Sequence, residues 1–150
     1  MGLAEALRWY IQGLAERSGM QIILEIPEDF ERPSHELELV LFRVVQECLT
    51  NIHRHSGSKS AVVRFAREEG GIFLVIQDSG KGIPAEKLSE IQSHGSGVGI
   101  RGMRERVRHF GGHMQIESNP GATKVSFRFP LASIPASKPE TISDRENVAG

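Results

Sequence analysis

The sequence has few features of a disulfide-bonded, membrane-spanning or nucleic-acid-binding protein. Its 150 residues include one cysteine, which excludes an internal disulfide and a zinc site with four thiolate ligands. No stretch approaches the roughly 18 apolar residues that a membrane-spanning helix needs. Lys and Arg number 18 against 19 Asp and Glu, a formal net charge of −1. This balance indicates neither nucleic acid nor an anionic membrane as a partner.

Glycine is abundant and unevenly distributed along the chain. Eight of the 16 glycines lie between Gly80 and Gly112. Because glycine has no Cβ, a segment rich in it allows the backbone to approach another group closely. The glycine distribution therefore indicates a close approach of this kind between residues 80 and 112.

Hydrophobic periodicity predicts three main helices and about five strands in one domain. Helices are predicted over residues 3–17, 34–56 and 99–110. Strands are predicted over residues 20–26, 61–67, 72–78, 114–118 and 123–129. Ser34 is the predicted N-cap of the second helix, and Gly19 and Gly111 are predicted to end the first and third. The strand over 72–78 is apolar on both faces, which predicts a central position in the sheet.

The order of these elements predicts the fold class. Helices occur before, between and after β-hairpins, which is typical of an α/β two-layer sandwich with a mixed sheet rather than a regular βαβ series. The folded domain should occupy residues 1–131. Residues 132–150 contain no aromatic residue and are mostly polar or small, so we expect a disordered tail there.

The second predicted helix carries a carboxylate and a carboxamide on one face. Glu47 and Asn51 are four residues apart, and Arg54 and His55 follow in the last turn. A solvated helix face is one interpretation, although Asn is unfavourable inside a helix. The alternative is a site that holds Mg²⁺ through oxygen and provides a base. Cys48 lies in the apolar stripe of this helix and is predicted to be a core residue.

Two further segments are candidates for ligand binding. Asp78 begins the sequence D-S-G-K-G-I-P, which is either an ordinary turn or a pocket for a flat ligand with an exocyclic amine, such as adenine. Residues 97–102 (G-V-G-I-R-G) begin the third helix but follow no strand, so they do not fit a dinucleotide-binding fold. Free N–H groups at that helix N-terminus would still suit a phosphate.

Together and in this order, these segments resemble the GHKL ATPase superfamily, and within it the ATP-binding catalytic domain of bacterial sensor histidine kinases. The stretch Q-E-C-L-T-N-I-H-R-H-S at 46–56 is similar to the N box of that family, D-S-G-K-G at 78–82 to its G1 box, and G-V-G at 97–99 to its G2 box. The run G-M-R-E-R-V at 102–107 is similar to the subfamily that pairs with LuxR-type response regulators. The resemblance covers about residues 3–131.

This resemblance implies the Bergerat fold, a mixed and mainly antiparallel sheet of about five strands covered on one face by three helices. It also implies binding of ATP and Mg²⁺. Asn51 would ligate Mg²⁺, and Glu47 would act as the base or orient the acceptor imidazole. Asp78 would bind the adenine amine, and Thr123 would support that carboxylate through water. The other implied nucleotide-binding residues are Arg54, His55, Gly80, Gly82, Ile83, Gly97, Val98, Gly99 and Ile100, and residues 85–96 would form a mobile lid.

The implied reaction is transfer of the γ-phosphoryl group of ATP to a histidine on a separate helical dimerisation domain, with a LuxR-type response regulator downstream. Leu3 already belongs to the catalytic domain, so we expect an excised domain, in the cytoplasm, without direct membrane or nucleic-acid contact. Two alternatives are a serine kinase of the anti-sigma-factor type and a nucleotide-binding switch without turnover. Residues 102–107 disfavour the first, and the joint presence of Glu47 and Asn51 disfavours the second.

Overall fold

The three main helices and the five strands that the sequence predicts are present in the structure, a computed structural model that describes residues 2–28, 30, 33–56, 58–68, 70–79, 98–119 and 121–130. In chain order the elements are α1 (Leu3–Ser18), β1 (Gln21–Glu25), α2 (His35–Asn51), a π-helical turn (Ile52–Ser56), β2 (Ser60–Glu68), β3 (Gly71–Asp78), α3 (Val98–His109), β4 (His113–Asn119) and β5 (Ala122–Pro130).

The five described strands form one sheet in the order β1-β2-β3-β5-β4. β1 is parallel to β2, and the other three neighbouring pairs are antiparallel. The apolar strand β3 lies at the centre, as its composition predicts. The β4–β5 hairpin turns through Gly121, whose φ of 103° is a conformation that glycine adopts without strain. The predicted mixed, mainly antiparallel sheet is therefore confirmed.

Local sequence signals set the ends of the helices. The hydroxyl of Ser34 accepts a hydrogen bond from the backbone N–H of Leu37 at 3.2 Å, so Ser34 caps α2 as predicted. α3 ends where the N–H groups of Gly111 and Gly112 donate to the carbonyls of Arg108 and Val107. This tight turn leads directly into β4, which begins at His113.

The last turn of the second helix differs from the simple helix that the apolar spacing predicts. After Asn51 the chain widens into the π-helical turn, and the N–H of Ile52 lies within hydrogen-bonding distance of the carbonyls of both Cys48 and Leu49. Turns of this type frequently occur at functional sites. Here the turn contains Arg54 and His55, two of the predicted site residues.

The helices cover one face of the sheet, and the core lies between the two layers. Alternate side chains of the strands point into this core, where burial of a large apolar side chain stabilises the fold by about 1.5–3 kcal/mol. The largest fully buried side chains are Leu7, Leu37, Leu41, Val44, Leu49, Phe65, Ile72, Leu74, Ile76, Met103, Phe127 and Phe129. The opposite face carries cross-strand ion pairs such as Arg64 with Glu25. These two layers confirm the predicted α/β sandwich.

Among the helices that the structure describes, none combines the length and the apolar content required to cross a bilayer.

Candidate functional site

Asp78 is the last residue of β3 and lies on the face of the sheet that the helices cover. The alternate residues before it, Leu74 and Ile76, are core residues, so strand geometry directs the Asp78 carboxylate to the same side. Its side chain is buried, with the residue 3% exposed. A carboxylate in such a place requires hydrogen-bond donors around it.

The neighbouring strand supplies one donor directly. The backbone N–H of Thr123 in β5 donates to Oδ1 of Asp78 over 3.1 Å. This direct contact uses the backbone of Thr123, and support of the carboxylate by Thr123 through water, which the resemblance implies, stays a prediction. The Thr123 hydroxyl lies 3.2 Å from the hydroxyl of Ser118, its partner in β4. A polar row of Asp78, Thr123 and Ser118 therefore crosses three strands at one end of the sheet.

A cluster of three serines lies beside Asp78. The hydroxyl of Ser58 accepts hydrogen bonds from the backbone N–H groups of Ser60 and Ser79, both at 3.2 Å, and donates to the Ser60 carbonyl at 2.6 Å. The hydroxyls of Ser60 and Ser79 lie 2.8 Å apart. The sequence did not single out these serines or Ser118. The alternation in β4 could have indicated Ser118, since it lies two residues after the buried Ile116.

The polar face of α2 is partly open at its C-terminal end. Glu47 and Asn51 are both intermediate in exposure, and Arg54 is exposed, whereas Cys48 and Leu49 between them are buried. Glu47 and Asn51 are four residues apart and so lie on the same side of the helix. Because both are partly exposed, a ligand can reach them.

Cys48 belongs to the core, as predicted. Burial raises the pKa of its thiol well above the usual range, and the negative charge of Glu47 raises that pKa further. Its sulfur lies 3.9 Å from the sulfur of Met103 in α3. This contact packs α3 against the part of α2 that carries Glu47 and Asn51.

The chain connectivity links the end of α2 to the end of β3. α2 leads through the π-helical turn into β2, whose residue Ala61 pairs with Asp78. α3 packs against α2 through the contact between Met103 and Cys48. Its first residues, Val98, Gly99 and Ile100, form a helical N-terminus whose N–H groups lack partners within the helix.

Several predicted site residues lie outside the part of the chain that the structure describes. These are Gly80, Gly82, Ile83 and Gly97, together with the expected lid at 85–96 and the tail at 132–150. For His55, Val98 and Ile100 the backbone is described but the side chains are not. Within the described residues, no group of three His, Cys, Asp or Glu side chains could hold a metal ion.

Comparison with known proteins gives a family match over most of the sandwich. A family model for "histidine kinase-, DNA gyrase B-, and HSP90-like ATPase" matches residues 36–133. The sensor histidine kinase MctS of Rhizobium johnstonii is 29% identical over 133 residues, which are 89% of this chain and 28% of that protein. The sensor protein VraS of Staphylococcus epidermidis is 34% identical over 130 residues, 86% of this chain and 35% of that protein.

A third relative extends this similarity. The signal transduction histidine-protein kinase/phosphatase UhpB of Salmonella typhimurium is 34% identical over 129 residues, 85% of this chain and 24% of that protein. The chain thus spans between about a quarter and about a third of the length of these curated relatives.

The solved structures share the fold. The histidine kinase domain of a blue-light activated histidine kinase from Erythrobacter litoralis matches with a TM-score of 0.74 at 22% identity, over 89% of this chain and 67% of that chain. The histidine kinase AdeS of Acinetobacter baumannii matches with a TM-score of 0.66 at 15% identity, over 86% of this chain and 63% of that chain.

Proposed function

This chain belongs to the family of histidine kinase-, DNA gyrase B- and HSP90-like ATPases, and we propose that its residues 1–131 are the ATP-binding catalytic domain of a two-component sensor histidine kinase. The domain would bind Mg²⁺-ATP and transfer the γ-phosphoryl group to a histidine on a separate domain. The observation that carries this proposal is the buried Asp78 carboxylate, held by the Thr123 N–H at the end of the central strand.

The position of Asp78 supports an adenine site. A buried carboxylate is a strong acceptor for an exocyclic amine, and it repels a phosphate. The Thr123 N–H engages Oδ1 and so fixes the plane in which the carboxylate can accept a second donor. Gly80, Gly82 and Ile83, which follow it in the sequence, would line the base.

The end of α2 and the start of α3 support a phosphate site beside the base. Asn51 would hold Mg²⁺ through its amide oxygen, an arrangement that suits an ion bound mainly by phosphates and water. When bound, Mg²⁺ neutralises negative charge on the phosphates. Arg54 and His55 would contact the phosphates from the π-helical turn. The N-terminus of α3, with Gly97, Val98, Gly99 and Ile100, would direct N–H groups at them.

Glu47 is the residue that we assign to catalysis. It lies one turn before Asn51 on the same face of α2, and its intermediate exposure lets an incoming group reach it. The carboxylate would accept a proton from the acceptor imidazole or orient that ring. Positioning and charge neutralisation would supply most of the rate enhancement, as in other phosphoryl transfers.

The partners follow from this assignment. The acceptor histidine would lie on a helical dimerisation domain, and a response regulator would receive the phosphoryl group next. Residues 102–107 favour a regulator of the LuxR type. We place the domain in the cytoplasm, where ATP is available.

Incubation with γ-labelled ATP tests the proposal. The chain alone should remain almost unlabelled, since none of its six histidines lies in an acceptor motif. Addition of the helical domain of the parent kinase should give acid-labile label on that domain alone. A Glu47→Gln chain that still binds ATP serves as the matched control and should label the acceptor far more slowly. Acid-labile label on the chain itself, abolished by His35→Gln, would contradict transfer to a separate domain.

A further inference from the structure

The hydroxyl of Ser58 joins two strands at the residue that follows Asp78. It donates one hydrogen bond, to the Ser60 carbonyl at 2.6 Å, and accepts two, from the N–H groups of Ser60 and Ser79 at 3.2 Å. The same oxygen also lies 3.5 Å from the hydroxyl of Ser79, so its contacts join residues 60 and 79. Ser58 is itself buried, at 9% exposure, so these hydrogen bonds form inside the fold.

The bond to Ser79 matters because of where Ser79 lies. β3 ends at Asp78, so the backbone at Ser79 no longer has a ladder partner to restrain it. The Ser58 hydroxyl restrains the backbone N–H of Ser79, whereas the Ser60 hydroxyl contacts the Ser79 side chain. On the other side, the Thr123 N–H engages the Asp78 side chain. The carboxylate is therefore fixed from β5 through its oxygen and from the chain before β2 through its backbone.

Ser58 also lies two residues after the π-helical turn that ends α2. The segment that carries Asn51 and Arg54 is thereby tied to the end of β3 through a short piece of chain. Rotation of the Asp78 backbone would change the distance between the base site and the phosphate site of the proposed function. The Ser58 hydroxyl opposes such a rotation.

We propose that Ser58 is a positioning residue for nucleotide binding, which acts by holding the backbone at Asp78 and Ser79 so that the Asp78 carboxylate faces the base. This inference rests on the proposed function, because it names a residue that tunes the same site. Ser58 touches neither base nor phosphate in this account. Its effect on affinity passes through Asp78.

The cluster offers a matched control. The hydroxyl of Ser60 lies 2.8 Å from that of Ser79 and Ser60 is partly exposed, so Ser60→Ala removes a serine hydroxyl from the same cluster. The backbone N–H and carbonyl of residue 60 keep their bonds to Ser58 in that variant. Ser58→Ala removes the hydroxyl itself. The N–H groups of Ser60 and Ser79 and the carbonyl of Ser60 then lose their hydrogen bonds to it.

The test is a calorimetric titration of Mg²⁺-ATP into the full chain and its variants, after thermal unfolding has established that each variant is folded. Ser58→Ala should weaken ATP binding about tenfold, and Ser60→Ala should change it by less than about threefold. Ser58→Thr, which keeps the hydroxyl, should restore most of the affinity. If Ser58→Ala does not fold, Ser58→Cys serves instead, since it keeps the size of the side chain with a weaker acceptor.

A double-mutant cycle with Asp78→Asn separates positioning from general stability. Ser58→Ala should cost about tenfold in affinity when Asp78 is present and less than about threefold in the Asp78→Asn background. An equal loss in both backgrounds, or a lowered melting temperature with unchanged affinity, would overturn the inference and leave the proposed function intact. Unchanged affinity in Asp78→Asn itself would overturn the adenine assignment, and the role of Ser58 with it.

Discussion

The backbone N–H of Thr123 donates to Oδ1 of Asp78 across 3.1 Å, and so connects β5 to the end of β3. A backbone donor in a strand cannot turn away as a side chain can, because the β-ladder fixes its direction. The pairing of the strands therefore determines the orientation of the buried carboxylate. This arrangement preorganises an acceptor for a ligand donor before the ligand binds.

Base selectivity follows from that acceptor. The adenine amine donates to a carboxylate, whereas guanine presents an acceptor oxygen at the same ring position. We expect Mg²⁺-GTP to bind at least about tenfold more weakly than Mg²⁺-ATP, measured by displacement of a fluorescent adenine nucleotide. ITP carries the same ring oxygen without the second amine of guanine and should bind as weakly as GTP. Equal affinity for all three nucleotides would exclude Asp78 as the base-recognition group.

The two polar residues of α2 should separate binding from chemistry. Asn51→Ala should weaken ATP binding about tenfold in the presence of Mg²⁺ and only slightly in EDTA, since the amide oxygen acts through the ion. Alanine is a better helix former than asparagine, so the fold should not be destabilised. Calorimetry in the two buffers measures the difference, and an equal loss of affinity in both would remove Asn51 from the metal site.

Glu47→Gln should leave ATP affinity within about threefold and slow transfer to the acceptor domain by about a hundredfold or more. The amide keeps the size of the side chain but cannot accept a proton. Single-turnover labelling of the acceptor at saturating ATP measures the rate. If the variant lost affinity as Asn51→Ala does, with a normal rate per bound ATP, Glu47 would be a metal ligand rather than a base.

The buried thiol of Cys48 gives a probe of folding that is independent of ligand binding. Burial and the Glu47 charge raise its pKa, so the native protein at pH 8 should react very slowly with a disulfide reagent and reveal one thiol in guanidinium. Rapid reaction of the native chain would contradict the burial of this helix face.

The same shift predicts a pH dependence of stability. The folded-state pKa of Cys48 lies above the unfolded value of about 8.5, so its contribution is complete below that pH and is lost as pH rises. The free energy of unfolding should fall above pH 8.5 by up to about 1.4 kcal/mol per pH unit from this group. Chemical denaturation of Cys48→Ala as the reference should show a correspondingly smaller fall.

The sequence predicts most of the framework because local signals determine it. The apolar run at 72–76 predicts a central strand, and Asp78 comes at its end, so the position of the carboxylate follows from one strand. Ser34 and Gly111 each end or begin a helix through contacts with residues at most four positions away. Such features require no knowledge of how distant segments pair.

The remaining features of the site depend on distant segments. Ser58 meets Ser79, 21 residues away, only because of the β2–β3 register, and no periodicity in the sequence encodes that contact. The Thr123 contact uses a backbone group, so residue type alone does not reveal it. The π-helical turn after Asn51 is only five residues long, and apolar spacing over so short a stretch does not distinguish it from an α-helix. Packing and register, rather than composition, determine all three.

The most direct test of the account is titration of ATP into the Asp78→Asn chain. The asparagine oxygen can still accept from the Thr123 N–H, so the fold should persist, while the charged acceptor for the adenine amine is lost. Glu117→Gln, a change in an exposed ion pair with Lys124, controls for removal of one carboxylate. We predict about ten- to hundredfold weaker ATP binding for Asp78→Asn and unchanged binding for Glu117→Gln. Equal ATP affinity in the wild type and Asp78→Asn would contradict recognition of adenine by Asp78.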